Sequence, residues 1–198
     1  IVCFSFDGIK NITSGEGGAI LTPDRRLLEK MQDGRLLGVK KDTEKRVSNQ
    51  RSWDFDVVSQ GFRFHMSNIN AAIGIEQLKR IELFKEKRQL IVQRYIKILS
   101  LINEVKFLNL NYKEIIPHIF VIKVKNRDGL RDYLLKSGIE CGIPYKPNHM
   151  LQMYSNPLIT LPVTESLYKE IISLPCHVDL SLLEQDYVIQ KIGEFYNA

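Results

Sequence analysis

Apolar residues cluster at Val2 to Phe6 and again at Gly18 to Leu21, with a polar, glycine-rich turn between the two runs. Two short buried strands bracketing a turn account for this spacing. Pro23-Asp24 then has the character of a helix start, with Leu27, Leu28 and Met31 at helical spacing until Gly34 or Gly38 breaks the pattern. Residues from Val39 to Ser52 are polar and read as an irregular loop, followed by an extended segment from Asp54 to Val58 that Gly61 closes. Ser67-Asn68 predicts a helix cap, and Ile69, Ala72, Ile73, Glu76, Gln77 and Ile81 follow along one helix. Leu83, Leu90, Ile91, Tyr95, Ile98 and Leu101 predict a further long helix reaching about Leu101.

The alternation changes after that helix, which places a domain boundary near Ile102 to Lys106. His118 to Val124 is β-rich, Arg127 to Ser137 reads as a short helix stopped by Gly138, and Ile139 to Ile143 is another strand candidate. Pro144, Pro147 and Pro157 punctuate an irregular stretch. Helices are then predicted over Thr164 to Ile172 and Ser181 to Phe195, the latter with Ser181 and Glu184 spaced as a capping box. The division expected is 1–103, the remainder of a large domain with its connecting helix, and 104–198, a small α+β domain.

Composition narrows this picture. With 198 residues, 44% of them hydrophobic, the chain can bury a core and fits one large or two small domains. It opens directly on a strand-like run, and a buried strand needs neighbours on both sides, so a piece of a longer polypeptide is expected. Cys3, Cys141 and Cys176 are odd in number and far apart, with no histidine at metal-ligand spacing, and read as reduced, buried thiols of a cytoplasmic protein that binds no metal. No apolar stretch approaches the ~20 residues that cross a bilayer. The net charge of +5 is modest, but Lys40, Lys41, Lys45, Arg46 and Arg51 gather around Asp42 and Glu44, as a solvated loop or as a loop over an anionic substrate. Stacking aromatics are not interleaved with these charges, which argues against nucleic acid.

Lys10 is the residue with the most chemical promise. The apolar lead-in delivers it to a turn flanked by Gly8, Gly15, Gly17 and Gly18, which let the backbone bend tightly and a ligand approach closely. An amine in a partly dry setting gives up some of its preference for the charged form and attacks carbonyls more readily. A solvated turn lysine beside a glycine loop has the same composition, so pattern elsewhere has to decide.

Four ordered blocks supply that pattern. Ser5-Phe6 stands ahead of Lys10 and Gly15-Glu16-Gly17-Gly18 after it, followed by Gly61 to Gly74 with Gln77-Leu78. Tyr145-Lys146-Pro147-Asn148-His149 with Tyr154 comes next, and Leu161 to Glu165, Leu174-Pro175 and Glu184 to Ile189 complete the series. Together they resemble the DegT/DnrJ/StrS family of pyridoxal 5′-phosphate (PLP)-dependent sugar aminotransferases, from the Schiff-base lysine onward. The resemblance implies an α/β fold: the C-terminal portion of a fold-type I PLP aminotransferase, with the end of the large-domain sheet plus a small α+β domain.

By that resemblance Lys10 would be the Schiff-base lysine and the proton shuttle, Ser5 would donate its hydroxyl to the cofactor phosphate, and Arg63 would reach the phosphate in the neighbouring subunit. Tyr145 and His149 would touch the sugar or its nucleotide; a core tyrosine and a surface-loop histidine are the alternatives. Several residues depart from the family pattern. Arg63 stands where asparagine is common, with a planar fork that suits a phosphate, and His65 stands where arginine is common. Asp7 replaces a histidine or aromatic residue and either tunes Lys10 by charge or caps the turn. Pro144 stands where a histidine or arginine is common, so sugar-side contacts are expected to differ.

The family's ring-stacking aromatic, its acid for the ring nitrogen and its phosphate-seating glycines all precede the lysine, so this polypeptide alone is expected to bind PLP poorly. The activity implied is transfer of an amino group from an amino-acid donor, glutamate, to a nucleotide-linked keto-sugar that feeds surface polysaccharides or glycosylated metabolites. A homodimer is implied for the complete protein, with no nucleic-acid or membrane partner. Two other readings remain: a non-catalytic regulatory or interaction module of the same fold, and a basic nucleotide-binding domain using the Lys40 to Arg51 loop.

Overall fold

A computed structural model describes residues 1–40, 48–50, 55–156 and 158–197. The chain forms two compact units, Ile1–Arg80 and Ile81–Ala198.

In the first unit, strands β1 (Val2–Ser5) and β2 (Gly18–Leu21) pair antiparallel, with Val2 opposite Leu21 and Ser5 opposite Gly18. Both lie where the sequence places them, but nearly every position is exposed rather than buried. The reason is the pairing: among the described residues each strand has only the other as a neighbour. Cys3 on β1 is therefore an exposed thiol, not the buried one expected. Helix α1 (Arg25–Gly34) begins on Asp24, whose carboxylate accepts the amide protons of Arg26 and Leu27.

After α1 the chain meets residues 57–63 through bridges from Leu36 to Arg63 and from Val39 to Val57. Here two backbones touch with no room for a side chain. A methyl group on Gly61 would stand 1.9 Å from the Gly38 nitrogen, and one on Gly38, whose φ is +73°, would stand 2.0 Å from the Ser59 carbonyl oxygen. Lys41, Lys45, Arg46 and Arg51 of the basic stretch, with Asp42 and Glu44, lie outside the described residues, as does Asp54 at the start of the predicted extended segment. Helix α2 (Asn68–Lys79) starts as expected on Ser67, whose hydroxyl oxygen accepts from the Asn70 amide.

The second unit is built on helix α3 (Ile81–Leu99), which buries Phe84, Arg88, Ile91, Val92, Tyr95 and Leu99. Leu83, Leu90 and Leu101, expected on its apolar face, are exposed. The buried stripe is shifted by one position because it includes Arg88. That guanidinium lies inside the unit and donates from Nη1 to the carbonyls of Pro117 (3.3 Å), His118 (3.1 Å) and Cys176 (2.5 Å). With this face packed into the second unit, the division between units falls ahead of the helix, at Arg80 and Ile81, rather than after it.

A three-stranded antiparallel sheet in the order β3 (Val105–Phe107), β4 (Phe120–Val124), β5 (Ile171–Leu174) supports the core. Along β4, Phe120, Ile122 and Val124 point inward in strand alternation. The sheet corrects three expectations. Ile139 to Ile143 is no strand but a single bridge, Gly142 to Ser173. The helix predicted over Thr164 to Ile172 is α5 (Pro162–Glu170), and Ile171-Ile172 belong to β5, where they pair with Lys123 and Ile122. Strand β3 has no counterpart in the sequence reading.

Helix α4 (Arg127–Lys136) ends at Ser137 before Gly138, whose φ is +76°. Helix α6 (Leu182–Asn197) opens on the predicted capping box: the Ser181 hydroxyl accepts from the Glu184 amide (3.2 Å) and Glu184 accepts from the Ser181 amide (2.8 Å). Tyr95 and Phe120 stack at 5.5 Å in the core, beside Leu130, Leu134, Ile172 and Ile192. Among the described residues no helix is long and apolar enough to cross a membrane, and no group of three or more metal-ligating side chains assembles.

Near the end of α6, Lys191, Gln190 and Tyr133 all donate to the Glu194 carboxylate and hold its pKa down at about 2. A carboxyl whose pKa is lowered on folding adds stability that is complete above its unfolded pKa and lost as pH falls toward the folded one. The melting temperature is therefore expected to drop more steeply between about pH 4.5 and 2 than in Glu194→Gln, as followed by circular dichroism. Identical pH profiles for the two proteins would show that this cluster adds nothing.

Candidate active site

Lys10 closes a tight turn that leaves the end of β1. Its amide donates to the Asp7 carbonyl at 3.1 Å, the Ile9 amide donates to the Asp7 carboxylate at 3.1 Å, and the Asp7 amide approaches the Ser5 hydroxyl oxygen at 3.4 Å. Asp7 thus caps the turn through both its backbone and its side chain. Lys10 is half-exposed, and its amine has no hydrogen-bonding partner among the described residues. At Gly8 a methyl group would meet nothing within 4 Å, so the space over the turn is open.

The loop carrying Lys10 is closed at its base by the Phe6 amide donating to the Gly17 carbonyl and the Ser14 amide to the Phe6 carbonyl, both at 2.9 Å. Gly15 and Gly17 adopt φ of +80° and +140°, conformations that a side chain would strain. Between them the Glu16 carbonyl accepts two bonds, from the fully buried Ser14 hydroxyl (2.8 Å) and from Asn70 Nδ2 on α2 (3.1 Å).

The predicted site residues are distributed as follows. Ser5 and Lys10 share one turn. Arg63 lies on the segment bridged to Leu36 and is exposed; its sequence neighbours Phe62 and Phe64 stack on each other with centroids 5.1 Å apart. His65 is half-buried with its Nδ1 unpartnered. A groove of about 880 Å³ runs between Phe4, Glu16, Gly18, Phe64, His65 and Asn70, and neither Ser5, Lys10 nor Arg63 lines it.

Tyr145 and His149 belong to the second unit. Tyr145 is 67% exposed, which removes the core-tyrosine alternative. His149 sits in a 3₁₀ turn (Asn148–Met150), its side chain only 12% exposed, with Nε2 3.1 Å from Glu165 Oε1. The same oxygen accepts the Leu161 amide at 2.9 Å. The Leu161 amide first, and His149 second, hold the Glu165 carboxyl below the usual range. His149 is thereby anchored to the start of α5 rather than loose in a surface loop.

Ser14 and Asn70 are the residues whose part in the site the sequence reading missed. Asn70 lies three positions after the Ser67 cap, a spacing that ties its amide to that hydroxyl, but its bond to Glu16 spans 54 residues and leaves no local trace.

The donor set on the Lys10 turn fits part of what PLP needs: a primary amine without a partner among the described residues, a strand-end hydroxyl and unfilled space above Gly8. A model of the DegT/DnrJ/EryC1/StrS aminotransferase family matches residues 1–193. The UDP-4-amino-4,6-dideoxy-N-acetyl-beta-L-altrosamine transaminase of Campylobacter jejuni subsp. jejuni serotype O:23/36 (strain 81-176) is 30% identical over 193 residues, 93% of this chain and 49% of that protein. Among solved structures, a DegT DnrJ EryC1 StrS aminotransferase from Brucella abortus superposes with a TM-score of 0.84 at 32% identity, over 99% of this chain and 51% of that one. Spr1654 from Streptococcus pneumoniae, solved in its PLP form, superposes with a TM-score of 0.85 at 26% identity, over 98% and 51%. The chain spans about half the length of the curated relatives it matches.

Proposed function

The chain belongs to the DegT/DnrJ/EryC1/StrS aminotransferase family, and from that membership we propose that it supplies the Schiff-base lysine and the small domain of a PLP-dependent transaminase acting on a nucleotide-linked keto-sugar. The observation that carries the reading is the Lys10 turn, which presents an amine and a hydroxyl together at the end of β1 beneath open space. The Campylobacter relative named as a UDP-sugar transaminase supports the substrate class, and the PLP form of the Streptococcus structure supports the cofactor.

Lys10 Nζ would hold the cofactor and would carry a proton to and from the substrate carbon. PLP, when bound, supplies the electron sink that makes this carbon acidic. The Ser5 hydroxyl donates to a phosphate oxygen, leaving its lone pair to the Asp7 amide. Arg63 offers its planar fork to the phosphate bound in a second copy of the complete protein, a homodimer. Tyr145, with its exposed ring, and His149, fixed by Glu165, face the nucleotide sugar. Glutamate is the amino donor.

The test is turnover. The complete protein, given PLP, glutamate and a UDP-linked keto-sugar, is expected to form 2-oxoglutarate and the amino sugar in equal amounts, read by mass spectrometry. Bound PLP without either product, across several nucleotide keto-sugars, would reject transamination.

A further inference from the structure

We infer that Asn70 is a positioning residue for Lys10, holding the glycine loop in the register that presents the amine; the inference rests on the cofactor role proposed for Lys10. Three of the four residues from Gly15 to Gly18 are glycine, and glycine loses more conformational freedom on ordering than any other residue. Such a segment keeps one conformation only if something outside it supplies a fixed point. The Phe6 amide on the Gly17 carbonyl and the pairing of Gly18 with Ser5 fix it from within the same hairpin, and the fixed point reached from another element is the Glu16 carbonyl. Ser14 reaches it from within the loop and shapes the turn, whereas Asn70 reaches it from the first turn of α2, 54 residues away.

The Asn70 side chain cannot swivel to an alternative. Its backbone amide donates to the Ser67 hydroxyl oxygen at 3.1 Å, and its Oδ1 accepts from that hydroxyl at 2.9 Å, which turns Nδ2 toward Glu16. Behind it α2 lies close to the loop at Gly74, where a methyl group would stand 3.4 Å from the buried Ser14 Cβ. The helix cap and the Lys10 loop are thereby joined through one amide group.

Asn70→Asp tests this with almost no change of shape, because the carboxylate still accepts from Ser67 but puts an oxygen opposite the Glu16 carbonyl. In the complete protein, amide hydrogen exchange across residues 7–17 should accelerate by about fivefold or more, the scale of one lost hydrogen bond. Exchange in α3 should stay unchanged. The second readout is borohydride reduction in the presence of PLP, followed by peptide mass mapping. Labelling of Lys10 should fall by about fivefold or more, and Asn70→Gln, which keeps the donor, should recover part of both losses. Wild-type exchange together with wild-type labelling in Asn70→Asp would overturn the inference. If wild-type Lys10 takes no label, the cofactor role falls by itself, and the exchange rates alone decide whether Asn70 holds the loop.

Discussion

Lys10→Ala is expected to lose the pyridoxyl label altogether and to lower the transamination rate of the complete protein by at least ~100-fold, the scale of a positioned general acid–base group. Under the proposed function the amine both holds the cofactor and moves the proton, so its removal strikes two functions at once. Lys10→Arg separates charge from nucleophilicity. Arginine keeps the cation and much of the bulk, but it stays protonated and neither attacks a carbonyl nor accepts a proton, so its loss should match that of alanine. Single-turnover rates with glutamate, measured at saturating PLP, provide the comparison. More than about a tenth of wild-type activity in either variant would remove Lys10 from the chemistry.

The largest stability effect is expected at Arg88. Arg88→Met keeps the apolar stem but leaves the carbonyls of Pro117, His118 and Cys176 without their donor in the interior of the second unit. A buried acceptor left unmade costs roughly 1–3 kcal/mol, so partial relaxation still leaves a loss of about 3–5 kcal/mol. For a unit of this size that lowers the melting temperature by roughly 10 °C or more. Arg88→Lys retains a cation with shorter reach and fewer bonds, and should fall between the two. A change below about 1 kcal/mol in Arg88→Met, by denaturant or thermal unfolding, would mean that water replaces the guanidinium at little cost.

What the sequence made legible is local. Asp24, Ser67 and the Ser181–Glu184 box cap their own helices within a few residues, and the glycines after Lys10 announce a turn without help from elsewhere. What it hid depends on distant partners. Ile171-Ile172 continue the helical spacing of α5, and only β4, some 50 residues earlier in the chain, makes them a strand. The buried face of α3 departs from the hydrophobicity pattern because that pattern counts Arg88 as polar, when three carbonyls from two distant segments make it an interior residue. In the candidate site the same rule holds: Ser5 and Lys10 are singled out by the resemblance of short local blocks, while the Asn70 to Glu16 bond joins two helix-and-loop segments that no window spans.

The β1–β2 ribbon has a consequence for how this chain behaves in concentrated solution. Among the described residues each strand is hydrogen-bonded along one side only, and Val2, Phe4, Ile20 and Leu21 lie open on it. An isolated two-stranded ribbon is marginal in water, and an unpaired apolar edge is a template for another chain's backbone. The strand that delivers Lys10 is therefore also a surface inclined to recruit a stranger, and the lysine proposed to hold the cofactor shares one short stretch of backbone with an aggregation hazard.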